Sequence, residues 1–413
     1  MEQRWNGLDG RSHSFGRKVR SHKFIVGILF VVLTIILVSA ASEAQTTKPW
    51  VTAYYGGWEL GDGGNGYLPV SDVDFTAITD VVHFCLVPKA DGTLDSTGNG
   101  ISRAGSAALV KAAHAAGTKV LISVGGAYTE PGFVGATSSE NLNKFVYNLV
   151  GFMVQRKYDG IDIDWEPINP QDYEQFKIFV STLRGVIGQH YLLTTTAVQG
   201  YGPLMASMQN YFDQINIMTY DLSFPSQGWI TWYSGALYQN GVTFPSTGGP
   251  LPACDNIVST FISAGVVRNK IGIGIEFGGS IWKGGLTSDG KGVTGPGQSW
   301  EVAPTIIPDV PYYIIMRDYY SPERYHWDQG AQSSYLSIDS ASAVKDYFIS
   351  YDDAKDISAK ITYVKKNNLG GVIIYELGMG YLGKGKNPLL DAVKAAASPL
   401  SPRGESSNGG GKK

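Results

Sequence analysis

The sequence predicts an α/β chain whose β/α units close into a (β/α)8 TIM barrel. Three observations carry this expectation. Eight short runs rich in Val, Ile, Thr and aromatic residues recur between residues 50 and 375, the composition of parallel strands buried on both faces. Stretches with apolar residues at helical spacing lie between most of them. The first run does not pass directly into a Gly-x-Gly-x-x-Gly turn, which disfavours the alternative, a doubly wound dinucleotide-binding sheet.

The expected strands are Trp50–Tyr55, Ile78–Leu86, Lys119–Val124, Gly160–Trp165, Leu192–Val198, Gln214–Tyr220, Lys270–Phe277 and Gly370–Tyr375. The first crossover, residues 59–77, reads as short and irregular. A helix is expected over Ser106–Ala116, stopped at Gly117, where a left-handed residue closes the last turn. Leu142, Phe145, Leu149 and Phe152 mark a second over Glu140–Arg156. A third, Gln171–Ile187, lies between Pro170 and Gly188, and Asp255–Ala264, Asp353–Lys366 and Pro388–Ala397 complete the series. Residues 280–335, between the seventh strand and its helix, fit no repeat. They carry Trp282, Trp300, Tyr312, Tyr313, Tyr319, Tyr320 and Trp327, and at the functional end of a barrel such an insertion would wall a cleft.

The ends of the chain read differently. Arg17, Lys18, Arg20 and Lys23 precede the apolar run Phe24–Ala41, and Ala41-Ser42-Glu43-Ala44 offers small residues at cleavage spacing. Residues 1–44 therefore read as a secretory signal, and the run at 24–41 is also long enough for an uncleaved membrane anchor. Residues 45–397 form the expected catalytic domain, and the Pro/Ser/Gly-rich residues 398–413 a disordered tail. The formal charge is −3, and losing the basic N-terminus makes the remainder more acidic, so nucleic acid is not an expected partner. Cys85 and Cys254 lie far apart, and Cys85 sits in an apolar run; both are expected reduced. Aromatic residues make up 12% of the chain, a supply of flat ring faces that can fill a core or stack on sugars.

The chemistry concentrates in Asp159-Gly160-Ile161-Asp162-Ile163-Asp164-Trp165-Glu166. On a strand, Asp162, Asp164 and Glu166 share one face, and Ile161, Ile163 and Trp165 the other. The acidic row spans only about 13 Å at roughly 3.3 Å per residue. Like charges so close on a half-buried strand cannot all ionise, so part of the row stays protonated, as a general acid requires. A calcium loop is the competing reading, but Pro167 follows Glu166 and the required Gly is missing. Asp159 has the opposite parity and reads as structural. At the end of the fourth strand, Glu166 would stand on the catalytic face of a barrel.

The motif Asp159-x-x-Asp162-x-Asp164-x-Glu166 resembles the signature of glycoside hydrolase family 18, the chitinase family. Ser123-Val124-Gly125-Gly126, Met218-Thr219-Tyr220-Asp221 and Tyr351-Asp352-Asp353, followed by Leu369-Gly370-Gly371, are similar to family segments in the same order, from Trp50 to about Ala397. The resemblance implies a secreted chitinase acting on chitin or other N-acetylglucosamine-containing glycans. It implies substrate-assisted, retaining chemistry through an oxazolinium ion, the exception to the two-carboxylate scheme. Glu166 would be the acid and base. Asp164 would hold the acetamide N–H, and Asp162 would share a proton with Asp164. Tyr220 would aim the acetamido oxygen at C1. Tyr54, Gly125, Gly126, Met218, Asp221 and Tyr375 would line the substrate pocket, with Ser123 behind Asp162. A monomer working without cofactor or metal is expected. Three departures concern the subsites: Tyr375 where relatives usually carry Trp, Gly278-Gly279-Ser280 where many carry Tyr-Gly-Arg, and Ala127-Tyr128 where many carry Trp. Alternatives are an endo-β-N-acetylglucosaminidase or peptidoglycan hydrolase on the same fold, and a non-catalytic chitin-binding lectin, which would typically lack the final Glu of the motif.

Overall fold

A computed structural model of the chain describes residues 49–60 and 67–398. The leader 1–44, with its run at 24–41, and residues 399–413 of the tail lie outside the described residues.

Eight parallel strands form the barrel: β1 (Trp50–Gly56), β2 (Asp80–Pro88), β3 (Lys119–Gly126), β4 (Gly160–Trp165), β5 (Leu192–Ala197), β6 (Gln214–Ile217), β7 (Ile271–Glu276) and β8 (Gly371–Tyr375). Each pairs with the next, β7 with β8 across a long insertion, and β1 pairs with both β8 and β2. The sheet is thus closed, and the doubly wound alternative is excluded.

Around it run α1 (Arg103–Ala115), α2 (Glu130–Ala136), α3 (Leu142–Arg156), α4 (Tyr173–Ile187), α5 (Gly202–Met208), α6 (Cys254–Ser263), α7 (Ala354–Lys366) and α8 (Pro388–Ala397). Among its described residues the first crossover holds short 3-10 turns. The short helices α2 and α5 are additions to the sequence reading; each spans two turns, too few to show an amphipathic period.

The two faces of β4 separate as alternation requires. Trp165 turns outward and stacks on Phe133 of α2, with ring centroids 4.6 Å apart and planes 5° from parallel, and it meets Phe176 of α4 edge-on. Ile161 and Ile163 join the same layer between sheet and helices. Asp162 and Asp164 turn into the barrel and are almost fully buried.

Two boundaries differ from expectation. β6 stops at Ile217 rather than Tyr220, because Thr219 turns its hydroxyl onto both backbone groups of Gly274, and Asp221 takes a left-handed φ of 54°. The insertion is longer than residues 280–335. It is a five-stranded antiparallel sheet reaching from Gly278 to Tyr351, whose last strand, Tyr347–Tyr351, returns to pair with its first, Gly278–Lys283. That pairing joins segments some sixty residues apart, which a local pattern does not register. Cys85 and Cys254 are both free and buried.

Candidate active site

Register builds the site before any side-chain detail. Ser123 of β3 and Thr194 of β5 flank Asp162 of β4, and Gly125 flanks Asp164. Asp162 therefore lies in a ring of hydroxyls. One of its oxygens accepts from Tyr54 at 3.1 Å and Ser123 at 3.0 Å, the other from Thr194 at 2.6 Å. Burial raises its pKa, and these three bonds oppose the rise.

One layer up, Asp164 accepts from Thr196 and is hydrogen-bonded to Glu166. Burial pushes the Asp164 carboxyl well above the usual range, and the charges of Glu166 and Asp162 push it further. Glu166, half-buried just past the strand, is also raised by burial. The sequence expectation placed the shared proton between Asp162 and Asp164. In the structure Asp164 is hydrogen-bonded to Glu166, while both oxygens of Asp162 accept from hydroxyls.

Gly125 makes this stacking possible. Its φ is +129°, and a Cβ there would stand 1.9 Å from the Asp164 carbonyl oxygen. Only glycine lets β3 approach β4 so closely.

Above the acids a cleft of about 770 Å³ opens at the C-terminal end of the strands. Of the residues singled out from sequence, Tyr54, Gly125, Gly126, Asp164, Glu166, Met218, Tyr220, Asp221 and Tyr375 line it. Asp162 and Ser123 lie beneath it, fully buried. Asp159 is remote from the cleft, where it accepts from the Val120 N–H at 2.8 Å and contacts His114 at 2.7 Å. Tyr220 and Tyr375 stack with centroids 6.0 Å apart, and Tyr54 meets Phe84 edge-on. Burial, then Tyr375 and Asp164, hold the Tyr220 hydroxyl in its neutral form, so it can donate a hydrogen bond. Burial, then Asp309 and Glu166, raise Asp221 to about 7.

A second cavity of about 330 Å³ shares Glu166, Met218, Tyr220 and Asp221 with the first and is walled by Trp229 and Phe244. The groove therefore continues on both sides of Glu166.

The structure adds residues that sequence reasoning missed. Thr194 and Thr196 hold the two buried acids; the signal was present as three consecutive Thr on an interior strand, with alternate members facing the acidic face of β4. Trp58, Glu59 and Glu376 line one flank, and Asp309, Pro311 and Tyr313 come from the inserted sheet. Glu59 and Glu376 are hydrogen-bonded to each other, and burial lifts them to about 9 and about 7. Nothing local in the sequence pairs residues 317 positions apart. Ala127 and Tyr128 line the rim, with Tyr128 92% exposed. Gly278–Ser280 does not reach the cleft; it is buried at the start of the inserted sheet.

Comparison with known proteins agrees with this geometry. The model of the family described as glycosyl hydrolases family 18 matches residues 51–380. Chitinase A1 of Niallia circulans is 29% identical over 292 residues, covering 63% of this chain and 40% of that protein. Chitinase 1 of Aphanocladium album is 28% identical over 359 residues, covering 78% of this chain and 80% of that protein. The chain thus spans well under two thirds of the first of these relatives. A solved glycoside hydrolase family 18 N-acetylglucosaminidase from Paenibacillus barengoltzii superposes with a TM-score of 0.68 at 25% identity, over 84% of this chain and 99% of that one. With the closed barrel, the acid row at the end of β4 and a match over most of the described residues, the chain belongs to glycosyl hydrolases family 18.

Proposed function

We propose that this protein is a secreted chitinase that cleaves β-1,4-linked N-acetylglucosamine polymers with retention of anomeric configuration. The observation that carries the reading is the hydrogen-bonded pair of buried Asp164 and half-buried Glu166, both raised by burial, at the floor of a groove open on both sides of Glu166. A carboxylic acid kept neutral by burial and a like-charged neighbour is a general acid at neutral pH.

In the proposed reaction Glu166 gives its proton to the glycosidic oxygen as the C1–O bond breaks. The carbonyl oxygen of the sugar's own 2-acetamido group forms a bond to C1, giving an oxazolinium ion. Asp164 accepts from the acetamide N–H and offsets the developing positive charge. Tyr220, neutral and in the cleft, donates to the acetamido oxygen and orients it. Water, losing its proton to Glu166, then adds to C1 from the face the leaving group left, and the bond from C1 to the acetamido oxygen breaks to restore the amide. Asp162, held by three hydroxyls, keeps negative charge beneath Asp164 and favours a proton there in the resting state. Tyr375 supplies the aromatic floor for the sugar, with less area than a Trp. The retained Glu166 separates this reading from a lectin.

The test is proton NMR of the early products from a chitin hexamer. Early β-anomer supports the retaining mechanism. Early α-anomer sinks it, and a folded protein without cleavage moves belief to other N-acetylglucosamine glycans or to binding alone.

A further inference from the structure

Behind the cleft, away from the acid row, lies a buried polar chain that the proposed mechanism does not use. Lys360 of α7 is fully buried, and its ammonium donates to Asp352 at 2.5 Å. The same Asp352 oxygen accepts from the backbone N–H of Glu276, at the end of β7, at 3.1 Å. The Glu276 side chain accepts from the hydroxyl of Ser234 at 2.7 Å. That hydroxyl in turn accepts from the backbone N–H of Asp221 at 3.2 Å, and the Ser234 carbonyl accepts from Leu222 at 3.0 Å. Ser234 thus grips the left-handed turn that carries Asp221 into the cleft. A second, direct route runs through packing. A Cβ on Gly235 would stand 3.0 Å from the Lys360 nitrogen, so the Ser234–Gly235 backbone rests on the ammonium itself. The Ser234 N–H donates to Ser350 at 2.8 Å, which ties the same point to the inserted sheet.

We propose that Lys360 is a positioning residue for the candidate catalytic centre, acting through Asp352, Glu276 and Ser234 to fix the backbone and set the charge of Asp221. The proposal rests on the functional reading above. The groups facing Asp221 are Glu166 just past β4, Tyr220 from its own segment, Asp309 from the inserted sheet and Glu276 from β7. Those facing Lys360 are Asp352, Asp356 and Cys254. Three carboxyl groups (Glu276, Asp352 and Asp356) therefore surround one ammonium. Glu276 keeps one carboxyl oxygen without a partner, so the chain is held from one side only and depends on its anchor. Loss of the cation leaves the acids to take up protons in its place.

Two readouts test this on the full chain: kcat and KM for a chitin hexamer between pH 4 and 9, and the titration of Asp221 followed by 13C-carboxyl NMR, assigned with Asp221→Asn. Ser234→Ala removes the grip and little volume. It is expected to fold, to lose about tenfold in kcat with KM within about twofold, and to displace the Asp221 titration by about half a pH unit or more. Lys360→Met is expected to move that titration upward, since a cation leaves its surroundings. Where Lys360→Met fails to fold, Lys360→Met with Asp352→Asn removes both buried charges and replaces it, with the same loss in kcat expected. A folded Ser234→Ala with the wild-type Asp221 titration and pH profile overturns the proposal, whatever the substrate. A wild-type protein that leaves the hexamer intact, while Ser234→Ala still displaces the titration, overturns the functional reading and supports the linkage.

Discussion

Asp164→Asn separates chemistry from stability more sharply than any other single change. The amide keeps the shape of the carboxyl. Its oxygen still accepts from Thr196, and its NH2 replaces the acid proton in the bond to Glu166. Because burial and its neighbours already favour the neutral form of Asp164, the fold loses no charge it needs near pH 5. Stability there should change by less than about 1 kcal/mol, which for a domain of this size is about 1–2 °C in Tm. At higher pH the sign favours the variant. The wild-type folded state holds a proton on Asp164 that the unfolded chain releases near pH 4. The stability this contributes is full below that pH and is lost as pH climbs towards the folded value, a loss Asn cannot suffer.

Catalysis should respond in the opposite sense. A carboxylate about 4 Å from the positive charge forming on the acetamide is worth about 4 kcal/mol at an effective dielectric of about 20. Losing it predicts a fall of about a thousandfold in kcat. The assay is hexamer turnover beside thermal melts at pH 5 and pH 8. A variant with a third or more of wild-type kcat, or one that loses activity only in step with stability, refutes the reasoning.

Other expectations follow from the same geometry. Glu166→Gln should lose about 10³-fold or more in kcat while still binding oligomers, measured by calorimetry beside turnover, because only the proton is removed. Tyr375→Ala takes away the ring stacked on Tyr220 and should cost about tenfold in kcat/KM, on the order of 1–1.5 kcal/mol, with little change in the pH profile. Gly125→Ala drives a methyl group into the Asp164 backbone and should cost roughly 4 kcal/mol in urea unfolding, or prevent soluble folding. Asp221 and Glu376 are raised to about 7 in the fold, so the folded state binds more protons than the unfolded between about pH 4 and 7. Their contribution to stability should therefore fall as pH rises through that window, and Asp221→Asn should flatten the fall in Tm between pH 5 and 8; an unchanged slope would contradict the assignment.

The β4 octapeptide was legible because its information is local. Alternation on a strand puts Asp162 and Asp164 on one face and Ile161, Ile163 and Trp165 on the other without reference to any other segment. The eight strands were legible for the same reason, since runs buried on both faces are apolar throughout. Boundaries slipped where a tertiary contact overrode the pattern, as where Thr219 bonds Gly274 and ends β6 early.

What the amino-acid order determines by itself, then, is the barrel, the identity of the acid row and its place at the end of the fourth strand. The ring of hydroxyls on Asp162 was decided only when register brought Tyr54, Ser123 and Thr194 around it. The Glu59–Glu376 pair, the reach of the inserted sheet into the cleft and the line from Lys360 to Asp221 likewise join residues far apart in the chain. Periodicity reports which face a side chain takes on its own element. Which partner waits on that face depends on how distant strands are packed, and burial then fixes where each proton resides.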